Sequence, residues 1–382
     1  DSLLKQQMEF YIEPAEQTPN VQQQLDEITP DSLDPEELTL LDPACGSGHI
    51  LVEAYDLFKA IYTERGYRPR DIPKLILTKN LYGLEIDDRA AQLSAFALMM
   101  NARADDRGIF ERDVQPNILS ILGSTGLDAK EITDALNEPI LVDVPPPSGE
   151  LFEEIANDKS PLFSSKNLSV KGNLESNTIS ELISIFEVGK TVGALIRIPE
   201  EVVNALPEVR ERIQAVLLHG GMFEKAAART FLPIVTQAQI LSAKFDSVVA
   251  NPPYMGSGYF NAGLKTRLKP FHNVKRTDLY VIFVERWISQ CDVLSMVTRQ
   301  DWMFTKSYAA FRHDVISQRT ICSLAQFGPD AFESLSGEVV QACAFNLLSK
   351  HVPNYVQTFF SLTDGKGVEK ADPLRKKRSA FT

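Results

Sequence analysis

The sequence predicts an α/β fold: a seven-stranded, mainly parallel sheet with helices on both faces and a helical insertion. Three observations predict it. Seven short apolar runs show little polar alternation, as strands buried on both faces must. The first two are each followed by apolar residues at helical spacing, the strand–helix alternation of a parallel sheet. Between about Gly123 and Lys244 that alternation stops, and it resumes afterwards.

Residues 1–37 are polar, rich in Gln, Glu, Asp and Pro, and predict short helical stretches at most. The strands are expected at 38–42, 81–86, 117–122, 245–250, 293–298, 321–327 and 342–348. After the first, Ile50, Ala54, Leu57 and Ile61 form a stripe that faces the sheet. After the second, Leu93, Phe96, Ala97 and Met100 do the same, with Asp87 or Asp88 as N-cap. The sheet domain is thus read in two halves, 38–123 and 245–350, around an insertion at 124–244. Within the insertion, Val144–Pro147 and the Ser/Asn/Lys-rich stretch 159–177 read as loops, and 179–187 and 201–217 as amphipathic helices. Residues 351–382, with basic Arg375–Arg378, read as a C-terminal extension or linker.

Composition narrows the class. With 382 residues, 44% hydrophobic and 24% charged, the chain has ordinary globular composition. No run approaches the roughly 18 apolar residues of a membrane helix, and no secretory signal is visible. The first residue is Asp1, so the chain reads as a fragment of a longer protein. Cys45, Cys291, Cys322 and Cys343 form no C-x-x-C pair and read as reduced thiols of a cytoplasmic protein, with no metal site. The net charge of −12 opposes a basic nucleic-acid footprint over the whole chain, so any such footprint must be local.

The loop Asp42-Pro43-Ala44-Cys45-Gly46-Ser47-Gly48-His49 lies between the first strand and its helix. Gly46 and Gly48 permit a sharp turn and let a ligand touch the backbone. Such a turn ordinarily receives phosphate at the helix N-terminus. Asp42 would repel phosphate but suits the ammonium of a methionine moiety, which favours S-adenosylmethionine over a dinucleotide. Glu85, at the end of the second strand, can accept from both ribose hydroxyls. Ile86 would give the cofactor's adenine an apolar face.

The last residues of the fourth expected strand run straight into Asn251-Pro252-Pro253-Tyr254. Two prolines fix φ and remove two N–H donors, so the loop is stiff and presents carbonyls. The Asn251 side-chain oxygen and the Pro252 carbonyl can accept both protons of an exocyclic amine. That turns the nitrogen lone pair towards an incoming methyl group. No strong base is needed, because the proton leaves after charge has developed; positioning and electrostatics carry the step. Tyr254 offers a ring on which a flipped base can stack. Downstream, Lys265, Arg267, Lys269, Lys275 and Arg276 occur with no intervening acid. Beside the catalytic loop they read as contacts to DNA phosphates, or otherwise as a solvated surface loop. His49 and His272 are candidate bases that this chemistry does not require.

These motifs resemble the amino-methyltransferases of restriction-modification and phage-defence systems. The order, Asp-Pro-Ala-Cys-Gly-Ser-Gly-His before Asn-Pro-Pro-Tyr, resembles their gamma class. Leu-Tyr-Gly-Leu-Glu-Ile-Asp-Asp-Arg, Asn-Pro-Pro-Tyr-Met-Gly-Ser-Gly-Tyr and Val192–Pro199 resemble the BREX-type, PglX-like adenine methyltransferases and single-chain restriction-modification enzymes. The resemblance implies a Rossmann-like S-adenosylmethionine-dependent methyltransferase fold with an antiparallel last strand. It also implies N6-adenine methylation of double-stranded DNA, further subunits of a defence complex as partners, and much longer relatives. The family's third motif often carries an Asp; the third strand here has none, so Asn117 or Ser120 takes its place. An aromatic at the Phe327-Gly328-Pro329 corner would help to grip the base. Three alternatives stay open: an RNA guanine-N2 methyltransferase, a protein-glutamine methyltransferase, and a catalytically silent DNA-binding subunit of a defence complex.

Overall fold

A computed structural model of the chain describes residues 8, 11–30, 32–144, 166–170, 172–269, 278–328 and 341–363. Helices of seven or more residues are numbered here. The chain divides into two compact units. The first holds the described residues up to Ile121, Thr191–Leu195, and those from Ala243 onward; the second holds those of Leu122–Lys190 and Ile196–Ser242.

In the first unit, α1 (Pro19–Ile28) precedes β1 (Leu40–Asp42), α2 (His49–Glu64), β2 (Leu81–Glu85), α3 (Asp88–Asp105) and β3 (Asn117–Ser120). The second unit contains α4 (Ala129–Asn137), β4 (Ile140–Val144), β5 (Lys166–Val170), α5 (Ser176–Phe186), α6 (Glu200–His219) and α7 (Met222–Ser242). The first unit resumes with β6 (Phe245–Ala250), α8 (Ala262–Leu268), α9 (Leu279–Trp287) and β7 (Cys291–Arg299). It ends with α10 (Ala309–Gln318), β8 (Thr320–Gly328), β9 (Ala342–Leu348) and β10 (Thr358–Ser361). Among the described residues no helix is long and apolar enough to cross a membrane.

The main sheet runs β10-β8-β9-β7-β6-β1-β2-β3. All its pairings are parallel except those of β9, which is antiparallel to both β7 and β8. The α/β architecture is therefore as expected, and the last of the seven expected strands, β9, is antiparallel as expected. One correction is needed: among the described residues the sheet has eight strands, the unexpected β10 forming a short parallel edge. The insertion also departs from expectation, because β4 and β5 form an antiparallel pair beside its helices. The chain leaves that unit for five residues, Thr191–Leu195, which belong with the sheet.

Both expected helix faces need correction. On α2 the buried residues are Leu51, Ala54, Tyr55, Phe58 and Tyr62, so the stripe is turned by about one residue. On α3 the buried residues are Ala91, Ser94, Leu98 and Ala102, while Leu93, Phe96 and Met100 are exposed. Ser94 sets this face, because α3 comes close to the glycine turn there: a Cβ on Gly48 would lie 2.5 Å from Ser94 Oγ and 3.0 Å from Ser94 Cα, so that position takes only a small side chain.

Two polar anchors set the strands that carry the site. Buried Asn80 donates to the carbonyls of Pro35 and Leu38 and accepts from Tyr62, pinning the lead into β1. Asp246 on β6 accepts both the N–H and the hydroxyl of Thr39 at 2.8 Å, locking β6 beside β1. The chain goes outward from β1 to β2 and β3, then returns to the other side of β1 for β6. In such a sheet the crevice beyond the C-terminal ends of these strands is where a ligand seats.

Candidate active site

Asp42 ends β1 and is 1% exposed. Burial pushes its carboxyl up to about 7; the Ala44 N–H opposes this at 3.0 Å, and the charge of Glu85 adds to it. Pro43 and Ala44 lead into a turn in which Gly46 and Gly48 have φ of +53° and +89°. Neither conformation suits a residue with a Cβ. Gly48 also touches Ser94, so its lack of a side chain serves packing as well as turning. Burial pushes the Cys45 thiol up to about 12, which keeps it out of nucleophilic chemistry.

Glu85 ties the loops after β1 and β2 together. One carboxylate oxygen accepts the Gly46 N–H at 2.8 Å; the other accepts those of Ile86 and Asp87 at 2.8 and 3.0 Å. A carboxylate has about four acceptor positions, so these amides take up capacity that two ribose hydroxyls would otherwise share. Asp87, not Asp88, caps α3, accepting from Arg89 and Ala90. Ile86 is 40% exposed. Gly193, at φ +61°, packs on it: a Cβ there would lie 3.3 Å from Ile86 Cδ1. Gly193 belongs to the Val192–Pro199 segment, of which Val192–Leu195 lie in the sheet unit.

The two candidates on β3 separate. Ser120 ends the strand, in register with Glu85, and its hydroxyl bonds to Asp88. Asn117 starts the strand, at the opposite end of the sheet. Its amide donates to the carbonyls of Leu77 and Thr78 at 3.2 and 3.1 Å, supporting the turn before β2. The structure does not bring Asn117 to the site, because a side chain at the N-terminal end of a parallel strand faces away from the crevice.

Asn251 and Pro253 are exposed, Pro252 is buried and Tyr254 is half-buried. Register places this loop beside Asp42: Leu41 pairs with Val248, and Ala250 pairs with Met296 of β7. The Tyr254 hydroxyl donates to Asn251 Oδ1 at 2.9 Å. This orients the amide and leaves the oxygen's other lone pair for a second donor. The Tyr254 ring meets Tyr280 edge-on, centroids 6.3 Å apart, and burial raises the phenol's pKa, so it acts as a donor and not as a base.

Lys265, Arg267 and Lys269 are exposed. They belong to a helix and its end rather than a loop: Asn261 caps α8 by accepting the Leu264 N–H at 2.7 Å, and Leu264 and Leu268 are buried. Lys275, Arg276 and His272 lie outside the described residues. His49 is exposed at the start of α2. Phe327 packs against Ala325, Phe360 and Leu362 rather than standing free. Among the described residues no group of three or more His, Cys, Asp or Glu could hold a metal ion. The arrangement puts a buried anion, a glycine turn and a stiff double acceptor at the ends of adjacent strands. It can hold a cationic amino-acid moiety and, beside it, a planar amine.

Comparison with known proteins gives the family to which the chain is similar. Residues 79–332 match the Eco57I restriction-modification methylase family, and residues 18–117 match the DNA-methyltransferase domain of MmeI. The chain is 42% identical over 384 aligned positions to the adenine-specific methyltransferase BrxX of Escherichia coli O9:H4 (strain HS), covering 100% of this chain and 31% of the relative. It is 30% identical over 355 to the adenine-specific methyltransferase PglX of Lacticaseibacillus casei (strain Zhang), covering 91% and 26%. The chain thus spans under a third of the length of these curated relatives. Among solved structures, the ATP-dependent type ISP restriction-modification enzyme LlaBIII bound to DNA aligns with 89% of this chain and 18% of its own, at a TM-score of 0.46 and 10% identity.

Proposed function

The chain belongs to the Eco57I restriction-modification methylase family, and from that premise we propose that it is the catalytic core of a DNA methyltransferase acting on the N6 amine of adenine. The observation that carries this reading is the Asn251–Tyr254 loop at the end of β6, directly beside the buried Asp42 at the end of β1.

The residues present fit S-adenosylmethionine. Gly46 and Gly48 leave a backbone cradle, buried Asp42 suits the ammonium, and Glu85 keeps capacity for a ribose hydroxyl. Exposed Ile86 offers the adenine a face, and Ser120 a polar edge. Pro43 and Ala44 shape the turn. When bound, the cofactor supplies an electrophilic methyl group. On the amine side, Asn251 Oδ1 and the Pro252 carbonyl accept the two N–H bonds, which frees the nitrogen lone pair. Pro253 stiffens the presentation, and Tyr254 stacks on the base. As positive charge develops on nitrogen, the same two oxygens stabilise it, and the proton then leaves to water. Adenine is flipped from double-stranded DNA to reach them. Lys265, Arg267 and Lys269 hold phosphates nearby, with Lys275 and Arg276 continuing the same basic run.

The acidic balance of the chain fits a core that finds its DNA with the rest of a longer polypeptide, or with further subunits of a cytoplasmic phage-defence or restriction-modification system. The test is transfer of a radiolabelled methyl group by the full-length protein to DNA, RNA and protein in parallel. The expected product is N6-methyladenine in DNA, formed about 10²- to 10³-fold more slowly with Asn251→Ala. Transfer to RNA or protein alone, or cofactor binding without transfer, overturns the proposal.

A further inference from the structure

The Asn-Pro-Pro-Tyr loop is stiff in its middle, so its aim depends on how its two ends are held. One end is β6, paired with β7 through Ala250 and Met296. Pro252 and Pro253 donate no hydrogen bonds, and the far end is fastened at Met255. There the Met255 N–H donates to Asp278 Oδ1 at 2.8 Å, and its carbonyl accepts the Leu279 N–H at 2.9 Å. Gly256 and Asp278 form an antiparallel bridge beside these bonds.

Asp278 is suited to this. It is 5% exposed and stands at the head of α9, whose every residue from Leu279 to Trp287 is buried except half-buried Glu285. The head of α9 thus grips the loop through the Asp278 carboxylate and the Leu279 N–H, both at Met255, and through the Tyr280 ring against Tyr254. Burial pushes the Asp278 carboxyl up from the usual range, a cost that an exposed loop amide satisfied by water would not require.

We propose that Asp278 is a positioning residue for methyl transfer: by holding Met255 it sets where Asn251 and Pro252 present their acceptors. This rests on the methyltransferase reading above. Misplacing such acceptors by about 1 Å costs on the order of 100-fold in rate, so the hold on Met255 matters even though Asp278 touches no reacting atom.

The test compares Asp278→Ala and Asp278→Asn in the full-length protein, with wild type and Asn251→Ala alongside. It reads kcat for DNA methylation, cofactor Kd by calorimetry, and amide hydrogen exchange over residues 251–260. Asp278→Ala should lower kcat roughly 10- to 100-fold and speed exchange at Met255, while cofactor Kd stays within about twofold. Asp278→Asn keeps an acceptor oxygen and should hold kcat within about threefold of wild type, with exchange restored. Three results would overturn the assignment: unchanged kcat in Asp278→Ala, cofactor affinity lost in step with kcat, or an Asn variant as poor as Ala. If wild type methylates nothing, the methyltransferase reading falls. Exchange at Met255 still decides whether Asp278 is the anchor.

Discussion

The loop after β1 and the loop after β6 leave adjacent strands at the same end of one sheet, and they keep their shapes by different means. The first is set by backbone: two glycines at positive φ, with the Gly46 amide tied to the carboxylate of Glu85 on the next strand. The second is set by rings and side chains: two prolines, the Tyr254 hydroxyl on Asn251, and the Asp278 carboxylate on Met255. A backbone-made site is sensitive to any added atom. A site made by side chains is sensitive to particular removals, and its parts can be removed one at a time.

The largest effect should separate the two loops completely. Asn251→Ala removes one of the two acceptors for the amine, and kcat should fall about 10²- to 10³-fold, or about 2.7–4 kcal/mol. Calorimetry should find cofactor binding intact; a parallel loss of affinity would mean the loops are not independent. Gly48→Ala adds one carbon where 2.5 Å separates it from Ser94 Oγ, at a φ that costs roughly 1–2 kcal/mol. Cofactor Kd should rise about tenfold or more, with a lowered melting temperature. Wild-type affinity in that variant would break the backbone account.

Asp42 sharpens the comparison through pH. Its carboxyl titrates near 7 because it is buried, so below that pH it is neutral and cannot pair with an ammonium. Cofactor affinity should fall by up to tenfold per pH unit below about 7, and binding near neutrality should release a proton. Calorimetry in two buffers of different ionisation enthalpy checks both. The sign for the ligand-free fold is opposite. The folded chain keeps a proton that the unfolded one has lost, so this stabilisation is full below an ordinary aspartate's 3.8 and disappears as pH rises through about 7. The smallest effect belongs outside both loops. Lys265→Ala with Arg267→Ala should weaken DNA binding a few-fold and flatten its salt dependence by about 0.9 in log–log slope per lost contact. An unchanged slope would make α8 a solvated face.

Local pattern made much of this legible. Each of the seven expected strands is present, because a buried strand writes itself as a short apolar run. Asp42, Glu85 and Asn251 could be found because their motifs are contiguous and sit at strand ends. What failed depends on distant partners. β10, Thr-Phe-Phe-Ser, is too short and mixed to stand out from a linker until it is seen against β8. That α3 buries Ser94 and leaves Leu93, Phe96 and Met100 exposed accords with the Gly48–Ser94 approach, which no periodicity within α3 reveals. Asn117 begins β3, and which end of a parallel strand reaches the crevice is set by the sheet as a whole. Asp278 lies 23 residues from the amide it holds, and the fold brings them together through the bridge at Gly256 and the Leu279 N–H on Met255.

The position of β1 also dictates an order of events during synthesis. Its two neighbours are β2, nearby in sequence, and β6, which follows after the whole second unit. At 5–20 residues per second, the about 125 residues between β3 and β6 take roughly 6–25 s to emerge. During that interval the apolar edge of β1 has no strand to pair with, and such an edge is a template for mispairing. The nascent chain is therefore most vulnerable while the second unit is being made. The speed at which those residues are translated sets how long that lasts.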